Sequence, residues 1–102
     1  MTTPAFNEVI HPPTRLRICS VLAPLDEAEF GVVRDEIGVS DSVLSKQVAY
    51  LEKAGYVSVL KRTVNTRQRT WLALTRAGRI AFQSHVAELR RIVDTAQDAE
   101  SQ

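Results

Sequence analysis

Polar side chains with hydrogen-bonding groups are concentrated between Gly38 and Gly55, on a stretch that has the periodicity of a helix. Three apolar residues recur there at intervals of four and three, which is typical of one buried face: Leu44, Val48 and Leu51. The polar residues that lie largely off that face are Ser42, Ser45, Lys46, Gln47 and Tyr50. Their side chains suit the edges of base pairs better than a protein core. The stretch therefore predicts a recognition helix over residues 39–54.

Each of these side chains has an expected partner in a DNA groove. Gln47 can pair with adenine at two positions, and Lys46 can meet guanine or a phosphate. Tyr50 has the right length to donate a hydrogen bond to a phosphate. Ser40 precedes the helix as its N-cap and would lie beside the DNA backbone. We therefore expect this helix to enter the major groove of double-stranded DNA.

A second concentration of bases lies in a region of β-forming residues after Gly55. Residues 56–61 and 70–74 favour strands, and no glycine occurs between them. The pattern predicts a two-stranded hairpin in which Asn65 takes the left-handed turn conformation. The bases of segment 61–70 are expected along the DNA backbone or in the minor groove: Lys61, Arg62, Arg67 and Arg69. The alternative is that this basic loop is only a solvated turn.

The net charge of +1 conceals a separation of charge along the chain. Residues 24–41 contain six acids and one base, whereas residues 61–91 contain eight bases and one acid. Such a separation gives a nearly neutral protein a basic face for a polyanion. The alternative is that the separation disappears when the two segments meet in the fold.

The elements that must position these residues are predicted from apolar spacing and capping residues. Helices are expected over residues 14–23 and from Asp26 to about Ile37. Gly38 is well placed to end the second helix with a positive φ. Arg15, on the first helix, is expected to face solvent.

The last predicted helix is suited to packing across a dimer axis. Thr75 is expected to cap this helix, and Gly78 is tolerated in its first turn. Its apolar residues form a heptad-like seam, although such a helix can also fold back on its own domain. The expected homodimer interface combines this seam with an amphipathic turn near the N-terminus: Phe6, Val9, Ile10, Phe82, Val86, Leu89 and Val93.

Length and composition favour a single domain over residues 1–102. With 44% apolar and 25% charged residues, the chain can bury a modest core. We expect a mainly α fold with a small β-hairpin, divided into a core (12–74), a dimerisation helix (75–97) and a frayed tail (98–102). No apolar run approaches the roughly 20 residues that cross a bilayer. One cysteine is consistent with a reducing cytoplasm.

The predicted order of helix, helix, recognition helix, hairpin and long helix is that of a winged helix-turn-helix. The phrases LSKQVAYLEKAGYV (44–57) and LTRAG (74–78) resemble those that flank the wing in small regulators allied to the MarR group. The resemblance covers about residues 10–93. It implies a homodimeric transcriptional regulator, often a repressor, whose terminal helices form the dimer interface. That family usually carries a glycine near the wing tip, where this chain has Asn65.

Other classes of function have weaker support. The chain has no phosphate-binding glycine loop, zinc-protease phrase or nucleophile elbow, so an enzyme is not expected. Its soft metal ligands are His11, His85 and Cys19, which lack the spacing of a zinc site, so no metal or cofactor is expected. Cys19 is expected in the core and His85 at the surface. The stronger alternative is a winged-helix protein-interaction module without DNA binding. A small-molecule effector would have to bind between the dimer helix and the DNA-binding core.

Overall fold

The computed structural model describes residues 2–100, and within them it contains four helices and one three-stranded antiparallel sheet. The elements in chain order are α1 (Pro13–Leu22), β1 (Ala28–Glu29), α2 (Phe30–Ile37), α3 (Asp41–Lys53), β2 (Val57–Val64), β3 (Arg67–Leu74) and α4 (Arg76–Glu100). The strands lie in the order β1-β3-β2. This arrangement confirms the predicted winged helix-turn-helix with a long C-terminal helix. None of these helices combines the length and hydropathy that crossing a bilayer requires.

Helix α1 begins at Pro13, whose fixed φ and missing N–H suit the first turn of a helix. Ile18, Cys19 and Leu22 point into the core and are fully buried. Burial raises the pKa of the Cys19 thiol to about 11, so the thiol stays protonated at neutral pH. The prediction that Cys19 is a core residue is confirmed.

The segment before α2 is a short strand, so the predicted start of that helix at Asp26 is wrong. Ala28 and Glu29 pair with Leu72 and Trp71 of β3, and α2 begins directly after them. The exposed edge of β3 offers backbone partners to this segment, and pairing with it buries the side chain of Ala28. A periodicity in the local sequence cannot reveal a strand partner that lies more than forty residues away.

The connection from α2 to α3 follows the predicted capping pattern. Gly38 has a φ of 77°, and the left-handed conformation lets the chain leave α2. Ser40 caps α3, because its Oγ accepts a hydrogen bond from the backbone N–H of Val43 at 3.2 Å. The predicted buried stripe of α3 is confirmed: Leu44, Val48 and Leu51.

The wing is longer and its turn tighter than predicted. Strands β2 and β3 pair along their full lengths and leave only Asn65 and Thr66 as the connection. Their φ values are 50° and 67°. Two consecutive positive φ values match the twist of a two-residue hairpin, so the predicted left-handed Asn65 is confirmed. The segment 62–69 is therefore mostly strand, because the turn needs only two residues.

Helix α4 docks closely on the turn between α3 and β2. Thr75 caps α4 as predicted, since its Oγ accepts a hydrogen bond from the N–H of Gly78 at 3.0 Å. A Cβ added to Gly78 would lie 2.0 Å from the carbonyl oxygen of Tyr56. Glycine is therefore required there by a close backbone approach, and not merely tolerated. The helix continues to Glu100, beyond the expected limit at residue 97, and residues 101 and 102 lie outside the described chain.

Candidate nucleic-acid interface

The side of α3 opposite its buried stripe is exposed and polar. Ser42, Ser45 and Lys46 are exposed, as predicted. Within residues 2–100, Ser45 and Lys46 form no hydrogen bond or ion pair through their side chains. Tyr50 is half exposed on the same helix. Because the stripe holds the opposite face in the core, these groups are presented outward on a rigid element.

The N-terminal end of α3 combines a polar cap with a neutralised carboxylate. The hydroxyl oxygens of Ser40 and Ser42 lie 3.2 Å apart at this end. Asp41 accepts a hydrogen bond from Nη1 of Arg34 at 2.8 Å. The carboxylates of Asp35 and Asp41 raise the pKa of the Arg34 guanidinium, which therefore stays charged. This ion pair weakens the repulsion that Asp41 would exert on a phosphate.

Arg15 of α1 reaches across to α3, so the prediction that it faces solvent is wrong. Its Nη1 donates to Oε1 of Gln47 at 2.8 Å, and its Nε donates to the carbonyl oxygen of Val9 at 2.5 Å. Its guanidinium carbon lies 4.7 Å from the ring centroid of Tyr50. Gln47 is half-buried as a result of this contact. Residues 15 and 47 are brought together only by the packing of α1 on α3.

An open groove of about 640 Å³ separates α3 from the wing. Asp41, Ser45 and Glu52 of α3 lie on one side, and Lys61 and Thr70 of the wing lie on the other. Lys61 pairs with Thr70 across the hairpin, so both side chains point to the same face of the sheet. The predicted wing residue Lys61 therefore lies beside the exposed face of α3.

The opposite face of the wing carries two arginines that are bound to acidic residues. Arg62 donates to both carboxylate oxygens of Glu27 at 2.6 and 2.9 Å, and Arg69 donates to Glu29 at 3.0 Å. The guanidinium carbon of Arg62 also lies 5.3 Å from the ring centroid of Trp71. The hydrogen bonds between Arg62 and Glu27 lower the pKa of the Glu27 carboxyl group and raise the pKa of the Arg62 guanidinium group.

These ion pairs show that the separation of charge in the sequence partly cancels in the fold. The acidic segment before α2 meets the basic wing along β1 and β3. Two of the four predicted wing bases, Arg62 and Arg69, are engaged within the chain. Lys61 and Arg67 are exposed, and neither has a side-chain hydrogen bond or ion pair within the described part of the chain.

His11 of the N-terminal segment and His85 of α4 form a hydrogen-bonded pair. His85 is fully buried, so the prediction of a surface histidine is wrong. The backbone N–H of Asn7 donates to Nδ1 of His85 at 2.9 Å, which leaves the ring proton on Nε2. That Nε2 lies 3.1 Å from Nδ1 of His11 and donates to it. No group of three or more metal-binding side chains occurs within residues 2–100.

We expect the free energy of unfolding to decrease as the pH is lowered below about 6.5, the ordinary pKa of histidine. Burial, and next the nearby His11, lower the pKa of His85 in the folded state. The unfolded chain therefore binds more protons, so this contribution to stability is complete above pH 6.5 and is lost as the pH falls through the folded pKa. Urea denaturation between pH 5.5 and 7.5 measures the effect.

A phenylalanine at position 85 provides the control for this pH dependence. His85→Phe retains a ring but removes the titrating group, so the denaturation midpoint should vary less over the same pH range. An unchanged midpoint of the wild-type protein from pH 7.5 to 5.5 would contradict the assigned tautomer and its burial.

The residues predicted for a dimer interface are divided between the core of the chain and its surface. Ile10 is fully buried in its own chain, so its assignment to a partner surface is wrong. Val9 and Phe82 are partly buried against the same core. Phe6 is 47% exposed, and its ring centroid lies 4.8 Å from that of His85. Farther along α4, Val86 and Leu89 are half-buried and Val93 is exposed.

Comparison with known proteins finds one relative by sequence and several similar structures. An uncharacterised protein of Methanocaldococcus jannaschii is 28% identical over 87 residues, which are 85% of this chain and 90% of that protein. A transcriptional regulator homologue from Pyrococcus horikoshii OT3 superposes with a TM-score of 0.83 at 23% identity, over 88% of this chain and 89% of that one. The YusO protein of Bacillus subtilis superposes with a TM-score of 0.75 at 20% identity, over 82% of this chain and 59% of that one.

The two structural matches have low sequence identity and bear on the fold alone. Residues 14–93, which run from the first turn of α1 into the C-terminal half of α4, match the winged helix DNA-binding domain family. The match includes the buried stripe of α3, both long strands of the wing and the Thr75 cap. Because it spans most of the chain, the protein belongs to the winged helix DNA-binding domain family.

Proposed function

We propose that this protein is a sequence-specific transcriptional regulator that binds a near-palindromic operator as a homodimer and acts as a repressor. The main support for this proposal is the exposed face of α3. On this face the hydroxyl group of Ser45 and the ammonium group of Lys46 have no hydrogen-bond or ion-pair partners within residues 2–100. Helix α3 would lie in the major groove of double-stranded DNA. The protein would then act beside the chromosome, in the cytoplasm.

The structure supports different roles for the four bases of the wing. Lys61 and Arg67 have no ion-pair partners in the described chain and would contact phosphates or the minor groove. Arg62 and Arg69 are held by Glu27 and Glu29, so they would fix the wing against β1. DNA contact by the wing would thus depend on two of the four predicted bases.

The exposed distal half of α4 supports the homodimer. Residues 90–99 are all exposed in the single chain, and they include the apolar side chains of Ile92 and Val93. Exposed apolar residues on a long amphipathic helix commonly mark an interface. A two-fold axis through this region would place two copies of α3 about one DNA turn apart, or a multiple of it.

Selection of bound sequences from a random pool of duplex DNA tests the proposal. We expect enrichment of two inverted half-sites whose centres are about 10 base pairs apart, or a multiple of that distance. Sedimentation of the bound and free protein measures whether two copies bind together. A protein that enriches no sequence and does not bind duplex DNA at low salt would instead support the protein-interaction alternative.

We expect Arg67→Ala to weaken binding to all DNA sequences alike. Because Arg67 is exposed without an ion-pair partner in the described chain, its loss should lower the slope of log affinity against log salt by about one per substituted subunit. Arg62→Ala is the matched control, since it removes the same charge from a residue that binds Glu27. Equal salt slopes for the two variants would contradict the different roles of Arg67 and Arg62.

A further inference from the structure

We propose that Arg15 is a positioning residue for base recognition, because it fixes the amide of Gln47 so that its N–H groups read the DNA. This inference rests on the proposed function and adds a specificity determinant from α1 to those on α3. The orientation of a glutamine amide decides whether it offers a donor or an acceptor at a given position.

The contacts of Arg15 determine which atom of the amide faces it. A guanidinium group has donors and no acceptor, so the atom of Gln47 that lies 2.8 Å from Nη1 is the amide oxygen. Such a charge-assisted hydrogen bond is stronger than one between neutral groups. The opposite orientation would place amide hydrogens against guanidinium hydrogens and is disfavoured.

Arg15 is itself anchored at two other places. Its Nε is bound to the carbonyl oxygen of Val9, and its guanidinium lies over the ring of Tyr50. The planar guanidinium therefore cannot follow Gln47 without losing both contacts. Gln47 and Tyr50 are both predicted DNA contacts, so one residue of α1 orients two residues of the recognition helix.

The consequence for recognition is that the nitrogen side of the Gln47 amide is left for a base. Its N–H groups require an acceptor, such as N7 or O6 of guanine or N7 of adenine. Cytosine offers only a donor in the major groove and should be disfavoured there. Loss of Arg15 would let the amide rotate, and the discrimination at that one base pair would decrease.

The test compares the sequences that the wild-type protein and three variants select from the same random DNA pool. Arg15→Met and Gln47→Met should both reduce discrimination, by about fivefold, at the same base pair of each half-site. Arg17→Met is the matched control, because it removes a charge from an exposed residue of α1. It should leave the preferred base unchanged.

A carboxylate at position 47 tests the orientation without altering Arg15. In Gln47→Glu one oxygen would still accept from Arg15, and the second would replace the amide nitrogen. The preferred base at that position should therefore change to cytosine, whose N4 is a donor. This variant keeps the proposal testable if Arg15→Met does not fold, which its thermal melt would show.

The outcomes separate this inference from the proposed function. A wild-type protein that selects no DNA sequence overturns both. Selection of an operator whose base preferences are the same in folded Arg15→Met, or do not change to cytosine in Gln47→Glu, overturns the role of Arg15 alone. A shared change at one base pair in Arg15→Met and Gln47→Met, together with the cytosine preference, supports it.

Discussion

Gly78→Ala should lower the free energy of unfolding by roughly 3 kcal/mol, a large effect for one methyl group. The new Cβ would lie 2.0 Å from the carbonyl oxygen of Tyr56 and 2.8 Å from its carbonyl carbon. Both are backbone atoms, so no side-chain rotation can relieve the overlap. Helix α4 would have to move away from the turn between α3 and β2.

That movement would also break the hydrogen bonds that dock the start of α4. The N–H of Thr75 donates to the carbonyl oxygen of Tyr56 at 3.0 Å, and its Oγ1 donates to that of Gly55 at 2.6 Å. Thermal unfolding followed by circular dichroism should show a decrease in Tm of more than about 10 °C.

Gly31→Ala is the matched control for this prediction, because Gly31 also lies in the first turn of a helix. A Cβ there would meet only the Arg34 side chain, at 3.5 Å or more. Alanine favours a helix over glycine by about 1 kcal/mol, so this variant should be slightly more stable than the wild-type protein. A Gly78→Ala variant that is more stable than the wild-type protein would contradict the close approach of α4 to the Tyr56 carbonyl.

The affinity for operator DNA should decrease about 10³- to 10⁵-fold between 50 and 200 mM salt, if the proposed dimer neutralises six to ten phosphates. Each neutralised phosphate releases condensed counterions, so the logarithm of the affinity falls linearly with that of the salt concentration. Lys46, Lys61 and Arg67 are the exposed bases expected to contribute in each subunit. Fluorescence anisotropy with a labelled operator at four or more salt concentrations gives the slope.

A double variant identifies which charges produce this dependence. Lys46→Ala combined with Lys61→Ala should reduce the slope by about two per subunit, because both side chains lack ion-pair partners in the described chain. Arg62→Ala is a suitable control, since Arg62 is bound to Glu27 and is not expected to contact DNA. An affinity that does not change with salt would contradict binding through the phosphate backbone.

Local patterns in the sequence predicted much of the helical framework. Ser40, Gly38 and Thr75 cap or end helices through groups within a few residues, so their roles follow from nearest neighbours along the chain. The stripe on α3 is confirmed because a helix places residues three and four apart on one face. The left-handed Asn65 follows in the same way from the needs of a tight turn.

The predictions that failed for β1, Gly78 and His85 each depended on a partner that is distant in the sequence. β1 exists because β3 offers an open edge, and Gly78 is required because the Tyr56 carbonyl approaches α4. His85 is buried by the N-terminal segment, which also supplies the hydrogen bond to its ring. Burial and strand pairing are set by three-dimensional packing, which local periodicity does not encode.

The same distinction applies to the proposed DNA-binding surface. The exposed face of α3 and the basic character of the wing could be predicted directly, because they follow from helical spacing and residue type. The availability of each charge depends on packing between elements. Arg62 binds Glu27 and Arg15 binds Gln47 in the folded chain, whereas Lys61 lies beside α3. Electrostatic and hydrogen-bonding partners depend on distance in space and not on distance along the chain. Folding therefore divides the bases of the wing into those bound to acidic residues, Arg62 and Arg69, and those without such partners in the described chain, Lys61 and Arg67.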